Sequence, residues 1–242
     1  METLRKKHRK PVPRKNRILH DSSNFSVVEG YKTIRTNLIF ATAKSGCRRV
    51  IFTSCIPGEG KTLSCCNLAI TLAQTDSRVL IIDCDLRKPT VNKLFRVKGI
   101  PGLSELLAGL SEYSQCIQHS GYKNLNILCG GTIPPNPAEL LGSDSMDRIL
   151  ENLSREYDYI LLDTPPVNVV ADALVLSPKA DGVVLVVRQN MTTHPDLKKA
   201  IASLKFGDSK ILGILLNGVE GASKNGHYQY SYSNRKADEE YQ

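Results

Sequence analysis

The stretch Cys55-Ile56-Pro57-Gly58-Glu59-Gly60-Lys61-Thr62 sets glycines, a lysine and a hydroxyl in close succession. An apolar run at 50–52 precedes it and a helix-like run at 63–74 follows it. That context suits a phosphate-binding loop. Glycines let backbone N–H groups approach a polyphosphate, and the next helix adds partial positive charge at its N-terminus. The lysine reaches the outer phosphates and the threonine hydroxyl serves Mg²⁺. The expected nucleotide-binding set is therefore Gly58, Glu59, Gly60, Lys61, Thr62 and Leu63, with ATP and Mg²⁺ as cofactors. Cys55 stands where this motif ordinarily opens on glycine, as a small residue able to make the turn. The bland alternative is a Gly-rich turn before a helix.

Two further segments carry carboxylates to the ends of apolar runs. Ile81-Ile82-Asp83-Cys84-Asp85 spaces two acids at i and i+2, on one side of an extended backbone. Tyr159-Ile160-Leu161-Leu162-Asp163-Thr164-Pro165-Pro166 ends a second run. Ligands of open parallel sheets sit beyond the carboxyl ends of the strands, so Lys61, Asp83, Asp85 and Asp163 are expected to converge. Thr62, Asp83 and Asp163 are the expected metal set, partly through water. Lys61, Asp83 and Asp85 are the expected catalytic set, with Asp85 as the base that a phenol of pKa near 10 needs. Tyr228, Tyr230, Tyr232 and Tyr241, clustered near the C-terminus, supply acceptors. Water or a sugar hydroxyl is open as an acceptor on the same chemistry.

These residues need a frame. Short, β-branched, nearly continuous apolar runs recur at 50–52, 79–82, 125–128, 159–162, 183–187 and 211–216. They read as strands buried on both faces. Helical periods lie between them, at 146–157 and around Leu197, Ile201 and Leu204. The fold class is α/β, a doubly wound, mostly parallel sheet. An earlier helix, capped by Ser26 and running to about Phe40, shows an apolar stripe of Val27, Tyr31, Ile34 and Leu38. The expected division is a basic arm at 1–22, a nucleotide-binding domain at 23–220 and a tyrosine-rich disordered tail at 221–242.

Of the net charge of +8, residues 1–17 carry +7, eight basic residues against Glu2. A basic tail on a near-neutral domain does not indicate a nucleic-acid-binding fold. Anionic lipid headgroups would attract it, and a solvated arm without a specific partner is the alternative. No run approaches the roughly 18 apolar residues of a membrane span, and no signal-peptide pattern follows Met1. The expectation is a cytosolic chain. Seven cysteines without a C-x-x-C pair suggest neither a disulfide framework nor a zinc site.

Together these motifs resemble the bacterial tyrosine kinases of capsular and exopolysaccharide synthesis, the CpsD/CapB type. The resemblance rests on Pro57-Gly58-Glu59-Gly60-Lys61-Thr62, Ile82-Asp83-Cys84-Asp85-Leu86-Arg87-Lys88-Pro89 and Leu162-Asp163-Thr164-Pro165-Pro166, with Pro134-Pro135-Asn136-Pro137-Ala138-Glu139-Leu140-Leu141 in addition. It implies an ATP-dependent protein-tyrosine kinase that forms a ring of subunits and phosphorylates its C-terminal tyrosines in trans. It also implies activation by the cytoplasmic tail of a membrane adaptor, other protein tyrosine substrates and a cognate tyrosine phosphatase. Its place is then cytoplasmic, peripheral at the inner face of the membrane. The family's E-x-x-R-x-x-R contact between subunits falls on Glu29, Lys32 and Arg35, with lysine for the first arginine. Asn217 falls where related folds read adenine. Two alternatives stand beside this reading. One is a partition or cell-division ATPase, whose signature lysine is replaced here by Ile56. The other is a non-catalytic nucleotide-binding scaffold of polysaccharide export.

Overall fold

A computed structural model describes residues 18–219. The elements run α1 (Phe25–Ala41), β1 (Arg48–Ser54), α2 (Lys61–Ala73), β2 (Val79–Asp83), α3 (Val91–Phe95), α4 (Leu103–Leu107), α5 (Tyr113–Cys116), β3 (Ile117–His119), β4 (Leu125–Leu128), α6 (Pro137–Gly142), α7 (Asp144–Leu153), β5 (Tyr159–Asp163), α8 (Asp172–Leu176), β6 (Gly182–Arg188), α9 (His194–Phe206) and β7 (Ile211–Asn217). The strands form one sheet in the order β3-β4-β2-β5-β1-β6-β7. All neighbours are parallel except the short edge pair β3–β4.

All six expected strands are present. Alternate residues of each feed opposite cores, as a sheet covered on both faces requires. Ile51, Ile82, Leu162 and Leu185 pack with α4, α7, α8 and α9, whereas Phe52, Ile81, Leu161 and Val186 pack with α1, α2 and α3. The edge strand β7 departs from the expected burial: Ile214 and Leu216 are about half exposed. No partner strand among the described residues covers that edge.

Two local expectations at α1 shift by a residue or two. Asn24, not Ser26, caps the helix, its Oδ1 accepting the Ser26 N–H at 2.9 Å. The inward stripe is Val28, Tyr31, Ile34 and Leu38. Val27 lies outside that stripe, about half exposed. Residues 18–22, counted with the arm from composition, lie against the domain. The Leu19 N–H donates to Asn67 Oδ1 at 2.9 Å, and Tyr122 donates its hydroxyl to the Leu19 carbonyl at 2.6 Å. No helix among the described residues is long and apolar enough to cross a membrane. The basic stretch 1–17 and the tail tyrosines Tyr228, Tyr230, Tyr232 and Tyr241 lie outside the described residues.

Candidate active site

Sheet register does most of the positioning. Asp83 and Asp163 end adjacent strands and pair directly in the ladder, while Phe52 of β1 lies opposite Asp163 on its other side. The phosphate-binding loop therefore leaves β1 beside both acids. Thr53 donates its hydroxyl to the Pro165 carbonyl at 2.8 Å, and the Val167 N–H donates to the Ser54 carbonyl at 2.9 Å. These bonds lock the loop after β5 to the start of the phosphate-binding loop.

The loop has the shape its glycines allow. Gly58 and Gly60 sit at φ +89° and +91°, where a Cβ is strained. A Cβ on Gly60 would also lie 2.2 Å from Asn217 Nδ2. Gly60 caps α2 without any side-chain bond, so the first N–H groups of that helix face the loop uncapped. Cys55 is fully buried and is not among the residues at positive φ. That backbone does not demand glycine, which explains the substitution. Burial, with Glu59 and Asp196 adding to it, pushes its thiol up to about 12, so Cys55 is a packing residue rather than a thiolate.

Inside the loop, Lys61 Nζ lies 3.1 Å from Asp85 Oδ2 and 3.4 Å from both carboxylate oxygens of Asp163. Thr62 donates its hydroxyl to Asp163 Oδ2 at 2.7 Å. Burial works to lower the Lys61 ammonium, but Asp163, Asp85 and Asp83 outweigh it and hold it up at about 12. The four residues expected to converge thus lie in one cluster. Within it Asp83 and Asp85 do not act as a matched pair. The strand ends at Asp83, so the extended geometry that aligns i and i+2 stops there. The fully buried Asp83 accepts N–H bonds from Thr90 and Val91 on one oxygen and from Asp85 on the other. Burial and the neighbouring Asp163 push its carboxyl up to about 7. Burial likewise raises Asp163, against the pull of Lys61 and the Thr62 hydroxyl. Asp83 shapes the loop that presents Asp85.

Glu59 and Asn217 hold the loop by its backbone. The buried Glu59 carboxylate accepts the Ile56 N–H at 2.9 Å and the Thr192 hydroxyl. Asn217 donates its amide to the Glu59 carbonyl at 2.8 Å and accepts the Gly218 N–H at 2.8 Å. Arg188 reaches the Gly58 carbonyl at 3.4 Å. Arg188, which ends β6, and Thr192, just after it, are residues that sequence reasoning missed. Their partners lie more than a hundred positions away, and nothing local marks them. On α1, Lys32 pairs with Glu29 at 2.8 Å, but Arg35 turns inward and donates to the Thr71 carbonyl of α2 at 2.8 Å.

The donor set fits Mg²⁺ with a nucleotide. All candidate ligands are hard oxygens, and among the described residues no group of three or more His, Cys, Asp or Glu could hold a metal alone. Mg²⁺ suits such a site because it takes one or two protein oxygens and completes its shell with phosphate and water. Thr62 and Asp163 are the residues that would hold it; Asp83, expected in the same set, has both carboxylate oxygens accepting N–H bonds from Asp85, Thr90 and Val91.

Comparison with known proteins agrees with this geometry. A family model described as an AAA domain matches residues 49–206. Tyrosine-protein kinase YwqD of Bacillus subtilis (strain 168) is 43% identical over 202 residues, covering 84% of this chain and 85% of that protein. The solved kinase domain of Escherichia coli tyrosine kinase ETK superimposes with a TM-score of 0.80 at 35% identity, over 95% of this chain and 89% of that one. The septum site-determining protein MinD complexed with Mg-ADP, from Pyrococcus horikoshii OT3, gives a TM-score of 0.59 at 25% identity over 70% of each chain.

Proposed function

The chain belongs to the bacterial tyrosine-protein kinases, P-loop proteins of the AAA-domain family, and from that membership we propose that it transfers the γ-phosphoryl group of ATP to tyrosines of its own C-terminal cluster, on another copy of the chain. The observation that carries this reading is the Lys61 ammonium between Asp85 and Asp163, beside the uncapped start of α2. Mg²⁺, when bound, screens the phosphate charge. Lys61 and the N–H groups of Lys61, Thr62 and Leu63 orient the polyphosphate and meet charge that develops during transfer. Asp85 takes the phenolic proton as the tyrosine oxygen bonds to phosphorus and the bond to the ADP oxygen breaks. Asp83 fixes the loop that carries Asp85. Glu59, Thr192 and Asn217 keep the phosphate-binding loop in shape.

Glu29 and Lys32, half-exposed on α1, make the contact between copies, with Arg35 fastening α1 to α2 behind them. By kinship with capsular and exopolysaccharide kinases, the enzyme regulates synthesis and export of such a polymer. The cytoplasmic tail of a membrane adaptor activates it at the inner face of the membrane. Other tyrosine proteins are substrates, and a tyrosine phosphatase resets the tail. Incubation with Mg-ATP, with and without membranes carrying the adaptor, followed by phosphotyrosine mapping, tests the reading. Phosphate on Tyr228, Tyr230, Tyr232 or Tyr241 is the expected result. ATP hydrolysis without phosphotyrosine would assign the chain to the partition-type ATPases, and binding without turnover to the scaffolds.

A further inference from the structure

Between Asp85 and Glu105 the sequence holds five basic residues and no acidic one. Arg87 is spoken for, bonded through two nitrogens to the buried Asp172. Lys93, Arg96 and Lys98 are exposed and make no ion pair among the described residues. Their backbone is firmly held. Lys93 and Arg96 stand three apart at the end of α3. Gln118 of β3 clamps Lys98, accepting its N–H at 3.2 Å and donating to its carbonyl at 2.7 Å. Just beyond them Ile100 is 59% exposed.

The first described residues, 18–22, lie at this same place. Ile18, His20 and Ser22 line one surface groove with Leu94, Phe95 and Arg96. Leu19 is pinned there by Asn67 and by Tyr122, whose ring stands edge-on to Phe95 at 6.1 Å. Ile18, which directly follows in sequence a stretch of net charge +7, therefore lies near three cations without an ion pair among the described residues and one exposed aliphatic side chain. Asp21, next to Tyr122, is an opposing charge. It leaves the balance strongly positive.

We propose that the α3–β3 surface, Lys93, Arg96, Lys98 and Ile100, is a docking surface for anionic phospholipid membranes. The chain then holds the bilayer by its own residues as well as through any partner. The chemistry fits: clustered cations near a negatively charged leaflet each contribute about 1 kcal/mol, screened over a Debye length, and an aliphatic side chain at their edge enters the headgroup layer. No hydrogen bond or ion pair among the described residues links these four side chains to Lys61, Thr62, Asp83, Asp85 or Asp163.

The test is co-sedimentation of the full chain with mixed phosphatidylglycerol–phosphatidylcholine vesicles and with phosphatidylcholine alone. Changing Lys93, Arg96 and Lys98 together to Gln is expected to weaken binding to the anionic vesicles on the order of 100-fold at moderate salt. Removing the same charge from the opposite layer of the sheet, by Lys198→Gln, Lys199→Gln and Lys205→Gln on α9, is expected to change binding by less than about threefold. Ile100→Ser is expected to weaken the salt-resistant part of binding, and all three proteins should melt alike and label tyrosine alike in solution. Wild-type vesicle affinity in the α3–β3 variant would overturn the proposal. So would equal losses in the two triple variants, because net charge and the N-terminal stretch would then suffice. Equal binding to phosphatidylcholine alone would also overturn it.

Discussion

Lys61 illustrates how much one side chain is asked to do. It is buried among carboxylates that would otherwise repel one another, so replacing it has a structural and a chemical consequence. Lys61→Met is expected to reduce phosphoryl transfer by roughly 10²-fold or more. It should also destabilise the ligand-free protein by roughly 2–4 kcal/mol near neutral pH, since it leaves buried charge uncompensated. Radiolabel incorporation and chemical denaturation check the two effects, and wild-type transfer would contradict the role. The acids make a separate prediction about pH. Asp83 titrates near 3.9 in an unfolded chain and near 7 here, so folding takes up a proton between those values. Its contribution is complete below the lower value and is lost as pH rises through the upper one. The ligand-free melting temperature should therefore fall from about pH 4 to about pH 7, and Asp83→Asn should flatten that slope while lowering the whole curve. Melting temperatures that rise across the window would contradict this. The motif residues were legible because phosphate chemistry restricts residue type at fixed spacing. The division between Asp83 and Asp85 was not, because it depends on where β2 stops and on N–H groups from Thr90 and Val91.

Elements carry those residues to one place, and the strands were the readable part. Runs buried on both faces announce themselves by composition, and the ends of β1, β2 and β5 brought the expected acids to the loop. The short helices α3 to α6 and the three-residue β3 were not legible. Each is too short for a hydrophobic period, and its stability comes from tertiary packing. The clasp behind the phosphate-binding loop was invisible for a different reason, because it joins Glu59 to Thr192 and Asn217 across the sheet. Thr192→Val keeps shape and removes the hydroxyl, leaving a buried carboxylate oxygen without that donor. A loss of about 1–3 kcal/mol in loop stability follows, and nucleotide affinity should fall roughly tenfold with a smaller change in kcat. Calorimetric titration with an ATP analogue beside steady-state labelling separates the two; a pure kcat effect would argue against a positioning role. At α1, Arg35→Ala removes a charged donor from the Thr71 carbonyl and should cost about 1–2 kcal/mol of stability even in a monomer. A stability loss confined to assembled protein would show instead that Arg35 acts between copies.

In sequence, a near-neutral nucleotide-binding domain is flanked by a basic stretch at 1–17 and a tyrosine-bearing, charge-balanced stretch at 221–242. The strand β7 ends at the site. Its last residue, Asn217, holds the phosphate-binding loop, and the tyrosine cluster follows in sequence from position 228. Each phosphate added to that cluster brings about −1.5 to −2 charges, and several would repel one another and the acids of the site. Phosphorylation is thus expected to drive the tail out and loosen the assembly. The central claim is transfer at this site to the tail of another copy. It is tested by mixing two chains that cannot label themselves: Lys61→Met with its tail intact, and an otherwise wild-type chain with Tyr228, Tyr230, Tyr232 and Tyr241 changed to Phe. With Mg-ATP and under conditions in which the wild type labels itself, phosphotyrosine should appear on the Lys61→Met chain of the mixture and on neither chain alone. An unlabelled mixture, or labelling of the Lys61→Met chain by itself, would contradict the account.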